Sequence, residues 1–154
     1  VATVARTYRK ALDDYAKSPE LYQQNMSWYL DQISNCTYRQ FTTGFFYGKP
    51  SAEAQIYDSN TYIKEYTYLG IIGDTRADGR VCIEQRNKFL IGDQIEIMKP
   101  DGSNVTTTVL GIENEDGEAM ESAPHPKQVL WLALDAQADR YDILRMAANE
   151  GVKE

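Results

Sequence analysis

Residues that carry most metal and nucleophile chemistry are scarce in this sequence. There are two cysteines, Cys36 and Cys82, far apart and outside any Cys-x-x-Cys spacing, and a single histidine, His125. The cysteine pattern predicts neither a disulfide framework nor a metal site, and two free thiols in a reducing cytoplasm are the simplest interpretation. With one histidine and no nucleophile at a recognisable spacing, no catalytic triad or metal set can be assembled.

Long apolar runs are also lacking. The longest, Val129 to Leu134, fits a buried strand and is far shorter than the ~20 apolar residues of a membrane helix. The sequence begins at Val1 without an initiator Met, a basic region or an apolar leader, which argues against a signal peptide. We therefore expect a cytoplasmic chain with no membrane partner, preceded by a further region of a longer polypeptide.

Positive charge is in deficit. The chain has 16 Lys and Arg against 23 Asp and Glu, and a net charge of -7. Nucleic-acid-binding proteins usually present a basic face, so the total charge does not favour that function. The charge is uneven, however, because residues 1–100 nearly balance whereas residues 101–121 contain carboxylates but no Lys or Arg. A balanced face can therefore still meet RNA.

Apolar side chains near the start of the chain recur at a helical spacing: Val4, Tyr8, Leu12 and Tyr15. This spacing predicts one amphipathic helix. Ser18 followed by Pro19 gives an N-cap and a proline at the first helical position, so a second helix is predicted to begin there. Two such helices cannot bury their aromatic faces on each other alone. We expect residues 1–35 to be a helical connector from a preceding catalytic domain.

After Asn35, β-branched and aromatic residues alternate with glycine-rich turns. Evenly spaced strands are predicted at residues 66–73, 80–85, 94–98, 104–112 and 128–134. Residues 39–47 predict a short strand, residues 51–60 a polar loop, and residues 141–146 a closing turn or edge strand. Such strands favour a small closed β-barrel over residues 36–154, because closure removes exposed edges. The fold class is therefore mainly β, with two amphipathic helices in front.

Three places carry side chains that can contact a substrate. Arg39 lies among aromatic residues that can stack bases, or that can wedge the helices against the barrel. Arg86 and Lys88 lie at a predicted strand end, where they can face a partner or simply be solvated. His125, held between two prolines, is either a binding contact or a structural loop anchor. The acidic residues 113–117 predict a solvated hairpin, since they lack the flanking helices of a calcium loop.

Several ordered motifs resemble one family. They are YRKALD at residues 8–13, RQFTTGF at 39–45, VCIEQRNKF at 81–89, GD at 92–93 and APHP at 123–126. Together they resemble the C-terminal region of the collagenase-like peptidase family of unassigned catalytic type, number 32 in the U class. Within that family the motifs are most similar to the tRNA-hydroxylation branch, and the resemblance covers nearly the whole chain.

The resemblance implies a small β-barrel of the type seen in the second domain of elongation factor Tu. It also implies that the catalytic region, an α/β barrel with cofactor-ligating cysteines in several members, lies before Val1. Neither Cys36 nor Cys82 matches such a ligand set, so no cofactor is expected in this chain. Family members are commonly described as proteases, including collagen-degrading ones, while close relatives are implicated in hydroxylating uridine in tRNA or cytidine in ribosomal RNA.

Three functions remain open on these grounds. The first is a non-catalytic accessory domain that helps the preceding catalytic domain engage RNA or protein, with these candidate contacts: Arg39, Arg86, Lys88 and His125. The second is a purely structural docking module, which apolar surface left exposed on the helices would favour. The third is autonomous proteolysis, for which a single histidine without a nucleophile partner offers no mechanism.

Overall fold

The helical part of the chain comes first. A computed structural model describes residues 1–36, 44–51 and 66–148. Its helices are α1 (Ala2–Lys17), α2 (Pro19–Gln24) and α3 (Met26–Ser34). The predicted start of a second helix at Ser18 and Pro19 is confirmed, because the Ser18 hydroxyl accepts a hydrogen bond from the Leu21 N–H at 3.2 Å. The predicted single second helix is instead divided at Asn25, whose side chain donates to Asp14 at 3.0 Å. None of these helices is long and apolar enough to cross a membrane.

The strands occupy the second half of the described chain. They are β1 (Tyr66–Thr75), β2 (Val81–Glu84), β3 (Phe89–Leu90), β4 (Gln94–Met98), β5 (Asn104–Glu113), β6 (Ala119–Met120), β7 (Ser122–Ala123), β8 (Val129–Leu134) and β9 (Ile143–Ala147). The five strands predicted between residues 66 and 134 are all present. The turn between β4 and β5 contains Gly102 with a φ of 95°, a backbone conformation that glycine adopts without steric cost.

Antiparallel pairing joins seven of the strands in the order β4-β9-β1-β2-β8-β5-β6, and β4 also pairs with β5. The remaining two, β3 and β7, form a separate ladder. The long strand β1 pairs with β9 along its first part and with β2 along its last part. The prediction of a closing turn or edge strand at residues 141–146 is wrong, because β9 is paired on both sides, with β1 and with β4.

The core is formed by buried side chains of these strands and follows their two-residue period. In β4, Ile95 and Ile97 are buried, as the alternation of apolar and polar residues in the sequence predicts, while Glu96 between them, expected to face outward, is only partly exposed and pairs with Arg145. They pack with other fully buried side chains, among them Leu69, Ile72, Ile83, Val109, Leu130, Leu132 and Leu144. A single apolar cluster therefore holds the strands in place and fixes where their connecting loops emerge.

The helices contact the β region through polar groups. The buried Arg6 side chain donates to the carbonyl oxygens of Lys99 and Ser103 at 3.0 and 3.2 Å, and to the side chains of Asn104 and Gln32 at 2.7 Å each. Burial, and then repulsion by Arg145, lowers the pKa of Arg6 to about 10, so the guanidinium stays charged at neutral pH. One cation thus fastens α1 and α3 to the turn between β4 and β5.

The segment around the predicted strand at residues 39–47 is only partly described. Residues 37–43, with Arg39, lie outside the described residues, as does the predicted loop at residues 51–60 except for Ser51. The described part is a turn rather than a strand, in which the Gly48 N–H donates to the Phe45 carbonyl at 3.1 Å. Gly44 and Gly48 both have positive φ, which strand backbone does not adopt.

Candidate nucleic-acid interface

Two short loops face each other at one end of the sheet. Residues 85–88 connect β2 to β3, and residues 124–128 connect β7 to β8. The loops are bracketed by two strand pairings, Glu84 with Val129 on one side and Phe89 with Ala123 on the other. Antiparallel pairing on both sides requires the two loops to lie opposite each other. We call residues 85–88 and 124–128 the basic loop pair.

Gln85 fastens the two loops together. Its side chain is fully buried, its N–H donates to the Gln128 carbonyl at 2.8 Å, and its carbonyl accepts from the Lys127 N–H at 2.7 Å. The side-chain amide donates to the carbonyls of Ala123 and Asn87, the second at 3.1 Å. A buried amide that bonds to Asn87 in the first loop and to Ala123 at the start of the second holds the two loops in one arrangement.

Strand β1 holds the first loop, residues 85–88, through hydrogen bonds to its carbonyl groups. The Arg86 N–H donates to the Leu69 carbonyl at 2.8 Å, and the Asn87 side chain donates to the Tyr68 carbonyl at 2.7 Å. Gly70 lies against this point, and a Cβ added there would meet the Glu84 carbonyl oxygen at 3.0 Å. The absence of a side chain at Gly70 therefore lets the end of β2 approach β1 closely.

Three of the four candidate contacts come together in the basic loop pair. Arg86 and Lys88 lie in the first loop and His125 in the second, all exposed. Arg39, the fourth, lies outside the described residues. The structure adds Lys127, which was not predicted and lies in the second loop with a φ of 68°. The signal that the sequence offered was that Lys127 directly follows the Pro-His-Pro sequence at residues 124–126.

The charged side chains of the basic loop pair differ in whether they are neutralised by an ion pair. Arg86 pairs with Glu84 at 2.7 Å, and the two side chains are 42% and 49% exposed, so each largely neutralises the other. Within the part of the chain that the structure describes, the side chains of Lys88, His125 and Lys127 make no hydrogen bond or ion pair. The loops therefore present two uncompensated lysines and a histidine, side chains that suit contacts to phosphate.

Other polar positions have structural partners. The hairpin predicted at residues 113–117 is confirmed as the turn between β5 and β6, with the Gly117 N–H donating to the Asn114 carbonyl at 3.1 Å. Glu113 at the base of this hairpin pairs with Arg80 at 2.9 Å.

The described residues offer little cysteine or metal chemistry. Burial raises the pKa of the Cys82 thiol, which disfavours the reactive thiolate. Among the described residues, no three metal-binding side chains lie together.

Comparison with known families defines the class of this chain. Residues 64–145 match the model of the peptidase family U32 C-terminal domain, and residues 1–56 match the model of peptidase family U32. The chain belongs to peptidase family U32, and its β region is the family's C-terminal domain. The resemblance inferred from the sequence motifs is thereby confirmed.

Individual relatives point to one branch of that family. The chain is 33% identical over 146 residues to tRNA hydroxylation protein P1 of Bacillus subtilis, covering 94% of this chain and 34% of that protein. It is 30% identical over 132 residues to tRNA hydroxylation protein P of Escherichia coli, covering 85% and 28%. The chain thus spans about a third of the length of these curated relatives.

A solved structure is also similar. The crystal structure of the C-terminal domain of a U32-family protein from Geobacillus thermoleovorans is 28% identical in sequence, with a TM-score of 0.47. The match covers 51% of this chain and 98% of that domain.

Proposed function

We propose that this chain is the non-catalytic C-terminal accessory domain of a tRNA-modifying protein, and that it helps a preceding catalytic region hold tRNA. The basic loop pair is the observation that carries the proposal. It concentrates Lys88, Lys127 and His125 at one end of a chain whose net charge is -7. The names of the curated relatives, which concern tRNA hydroxylation, supply the substrate class. Any cofactor belongs, in this proposal, to the preceding region.

The loop arrangement suits contacts to a phosphate backbone. The two lysines are contributed by facing loops that Gln85 holds together, so the backbone that carries them is already ordered when an anion binds. Lysine contacts to phosphate carry no base specificity, which fits an accessory domain that positions a folded RNA. A tRNA substrate also implies the cytoplasmic location that we propose for the chain.

We infer further that the sheet closes into a small barrel of the kind found in the second domain of elongation factor Tu. The supporting observation is that β4 pairs with both β9 and β5. Following the pairings from β4 through β9, β1, β2, β8 and β5 returns to β4, so each of these strands has two neighbours. A closed sheet would give the basic loop pair a rigid base.

Titration of labelled tRNA, followed by fluorescence anisotropy, tests the proposal. We expect the chain to bind tRNA, and Lys88→Ala and Lys127→Ala each to weaken binding because a phosphate contact is lost. Lys17→Ala is the matched control, since Lys17 is exposed at the end of α1 and its replacement changes the net charge equally. Weakening by all three variants alike would show a general charge effect and contradict a contact at the loops.

A structural docking module is the second candidate, favoured by the exposed apolar side chains of the helices. Tyr8, Leu12 and Leu30 are 60%, 65% and 61% exposed. If neither the chain nor the longer protein loses tRNA binding on Lys88→Ala or Lys127→Ala, this candidate replaces the first. Peptide-bond cleavage by the purified chain would instead support autonomous proteolysis, although among the described residues the His125 side chain has no hydrogen bond to a hydroxyl or thiol.

A further inference from the structure

Helix α1 is oriented with its polar side toward the protein. Its buried residues are Arg6, Thr7 and Asp14. The four apolar side chains that define its amphipathic face are instead 36–65% exposed: Val4, Tyr8, Leu12 and Tyr15. This is the reverse of the usual packing of an amphipathic helix. Within the described residues this apolar face is therefore largely uncovered, and its one ring contact is that of Tyr15 with Tyr22, whose centroids are 5.6 Å apart.

A groove continues this exposed face between α1 and the two following helices. It has a volume of about 170 Å³, and its apolar walls include Tyr8, Ala11, Tyr22, Met26, Leu30 and Ile33. Apolar cavities of similar size hold one benzene-sized group. The helical groove, as we call it, can thus accept one aromatic or leucine side chain from a partner.

Buried polar contacts hold the helical groove in shape. The Asp14 carboxylate accepts hydrogen bonds from the Tyr29 hydroxyl at 2.7 Å and from the Asn25 amide at 3.0 Å, and pairs with Lys10 at 3.0 Å. The Tyr22 ring stacks on the Tyr29 ring with centroids 5.6 Å apart. The groove is preformed, so a partner would not have to order it on binding.

The family comparison bears on which region covers this face. Residues 1–56, which include all three helices, match the model of peptidase family U32 rather than that of its C-terminal domain. The curated relative from Bacillus subtilis matches this chain over only 34% of its own length. The helices thus belong by sequence to peptidase family U32, and about two thirds of the length of that relative has no counterpart in this chain. An exposed apolar face of this kind marks an interface.

We propose that the helical groove and the exposed face of α1 dock on the region that precedes this chain in the longer family members. The two faces of the helical segment then have separate roles: Arg6 holds the β region, and the apolar face holds the preceding region. The helices become a rigid adaptor that sets the position of the basic loop pair. The proposal rests on the proposed function only in requiring that the preceding region exists.

Cysteine labelling tests this docking. Leu12→Cys and Leu30→Cys are introduced into the 154-residue chain and into the longer protein, and maleimide labelling rates are measured peptide by peptide. We expect both sites to label at least ~10-fold more slowly in the longer protein, as for a site exposed in fewer than one molecule in ten. Leu110→Cys, at a position 57% exposed on β5, is the control and should label equally in both.

Two results would overturn the docking proposal. The first is equal labelling of Leu12→Cys and Leu30→Cys in both proteins. The second is protection of these sites that already appears in the 154-residue chain and grows with its concentration, which would assign the face to a second copy. Adding Lys88→Ala and Lys127→Ala should leave all labelling rates unchanged. Protection without tRNA binding would therefore uphold docking while rejecting the proposed function.

Discussion

At the scale of single residues, Gln85 determines the arrangement of the two loops of the candidate site, although this buried side chain is not itself a candidate substrate contact. It is fully buried, whereas its neighbours Glu84 and Arg86 are exposed. The run of polar residues at 84–88 indicated a solvated strand end, and nothing in that composition distinguishes the one side chain that turns inward. Its burial depends on carbonyl groups of residues 123 and 128, which are remote in sequence.

Gln85→Ala should destabilise the fold and loosen the basic loop pair. It removes the donor to the carbonyls of Ala123 and Asn87, and an unsatisfied buried acceptor costs about 1–3 kcal/mol. The expected result is a lower urea midpoint together with weaker tRNA binding. Gln94→Ala, at an exposed position of β4, is the control and should change neither quantity. A midpoint that is unchanged in both variants would contradict the fastening role.

Asp14 predicts a pH dependence of stability. The hydrogen bond from Tyr29, and then those from Lys10 and Asn25, lowers the pKa of this carboxyl below its ordinary value of 3.8, although burial alone would raise it. A carboxyl whose pKa is lower in the folded state stabilises the fold above its unfolded pKa, and this contribution is lost as the pH falls through the folded value.

The free energy of unfolding should therefore fall more steeply below about pH 5 in the native chain than in Asp14→Asn. Urea unfolding between pH 7 and 3 measures this difference. Other carboxyls also titrate in this range, so the informative quantity is the difference between the two proteins. Asp13→Asn, next to it and half-exposed in an ion pair with Arg9, should keep the native slope. If the free energy of unfolding falls with pH equally in the native chain and in Asp14→Asn, Asp14 does not contribute to the pH dependence and the prediction is wrong.

At the scale of elements, sequence periodicity succeeded where one face of a strand is buried. The alternation in β4 is an example, since Ile95 and Ile97 enter the core. The two-residue strands β3, β6 and β7 were not predicted because two residues show no period. The pairing of β9 on both sides depends on β1 and β4, which lie far from it in sequence. The division at Asn25 depends on Asp14, a contact that local propensity does not reveal.

The junction between helices and strands depends on one side chain. Arg6→Lys keeps the charge but cannot reach four acceptors with one ammonium group. We expect a loss of about 1.5–3 kcal/mol in the free energy of unfolding, the range for hydrogen bonds to charged groups. Chemical denaturation followed by circular dichroism measures it. Arg9→Lys, at an exposed position of the same helix, should change the free energy of unfolding little. An equal loss in both variants would contradict the role of Arg6 in joining the helices to the strands.

At the scale of the whole molecule, the chain presents two unlike surfaces. The exposed apolar face of the helices was predicted in outline, because two short helices could not bury their aromatic residues on each other. The basic loop pair was predicted only in part, because a total net charge of -7 does not reveal that several cationic side chains lie together locally. Lys127 joined Arg86 and Lys88 only when two antiparallel pairings brought their loops together.

We propose a substrate surface at one end of the β region and a docking surface on the helices. The central claim is that the basic loop pair contacts tRNA phosphates through Lys88 and Lys127. If each lysine neutralises one phosphate, each contributes about 1 to the slope of log K against log salt concentration.

The most direct test is the salt dependence of tRNA binding by the native chain and by the double variant Lys88→Ala, Lys127→Ala. We predict that the slope of log K against log salt concentration becomes shallower by about 2 in the double variant. A slope equal to that of the native chain would contradict the claim, because the lysines would then release no counterions from tRNA.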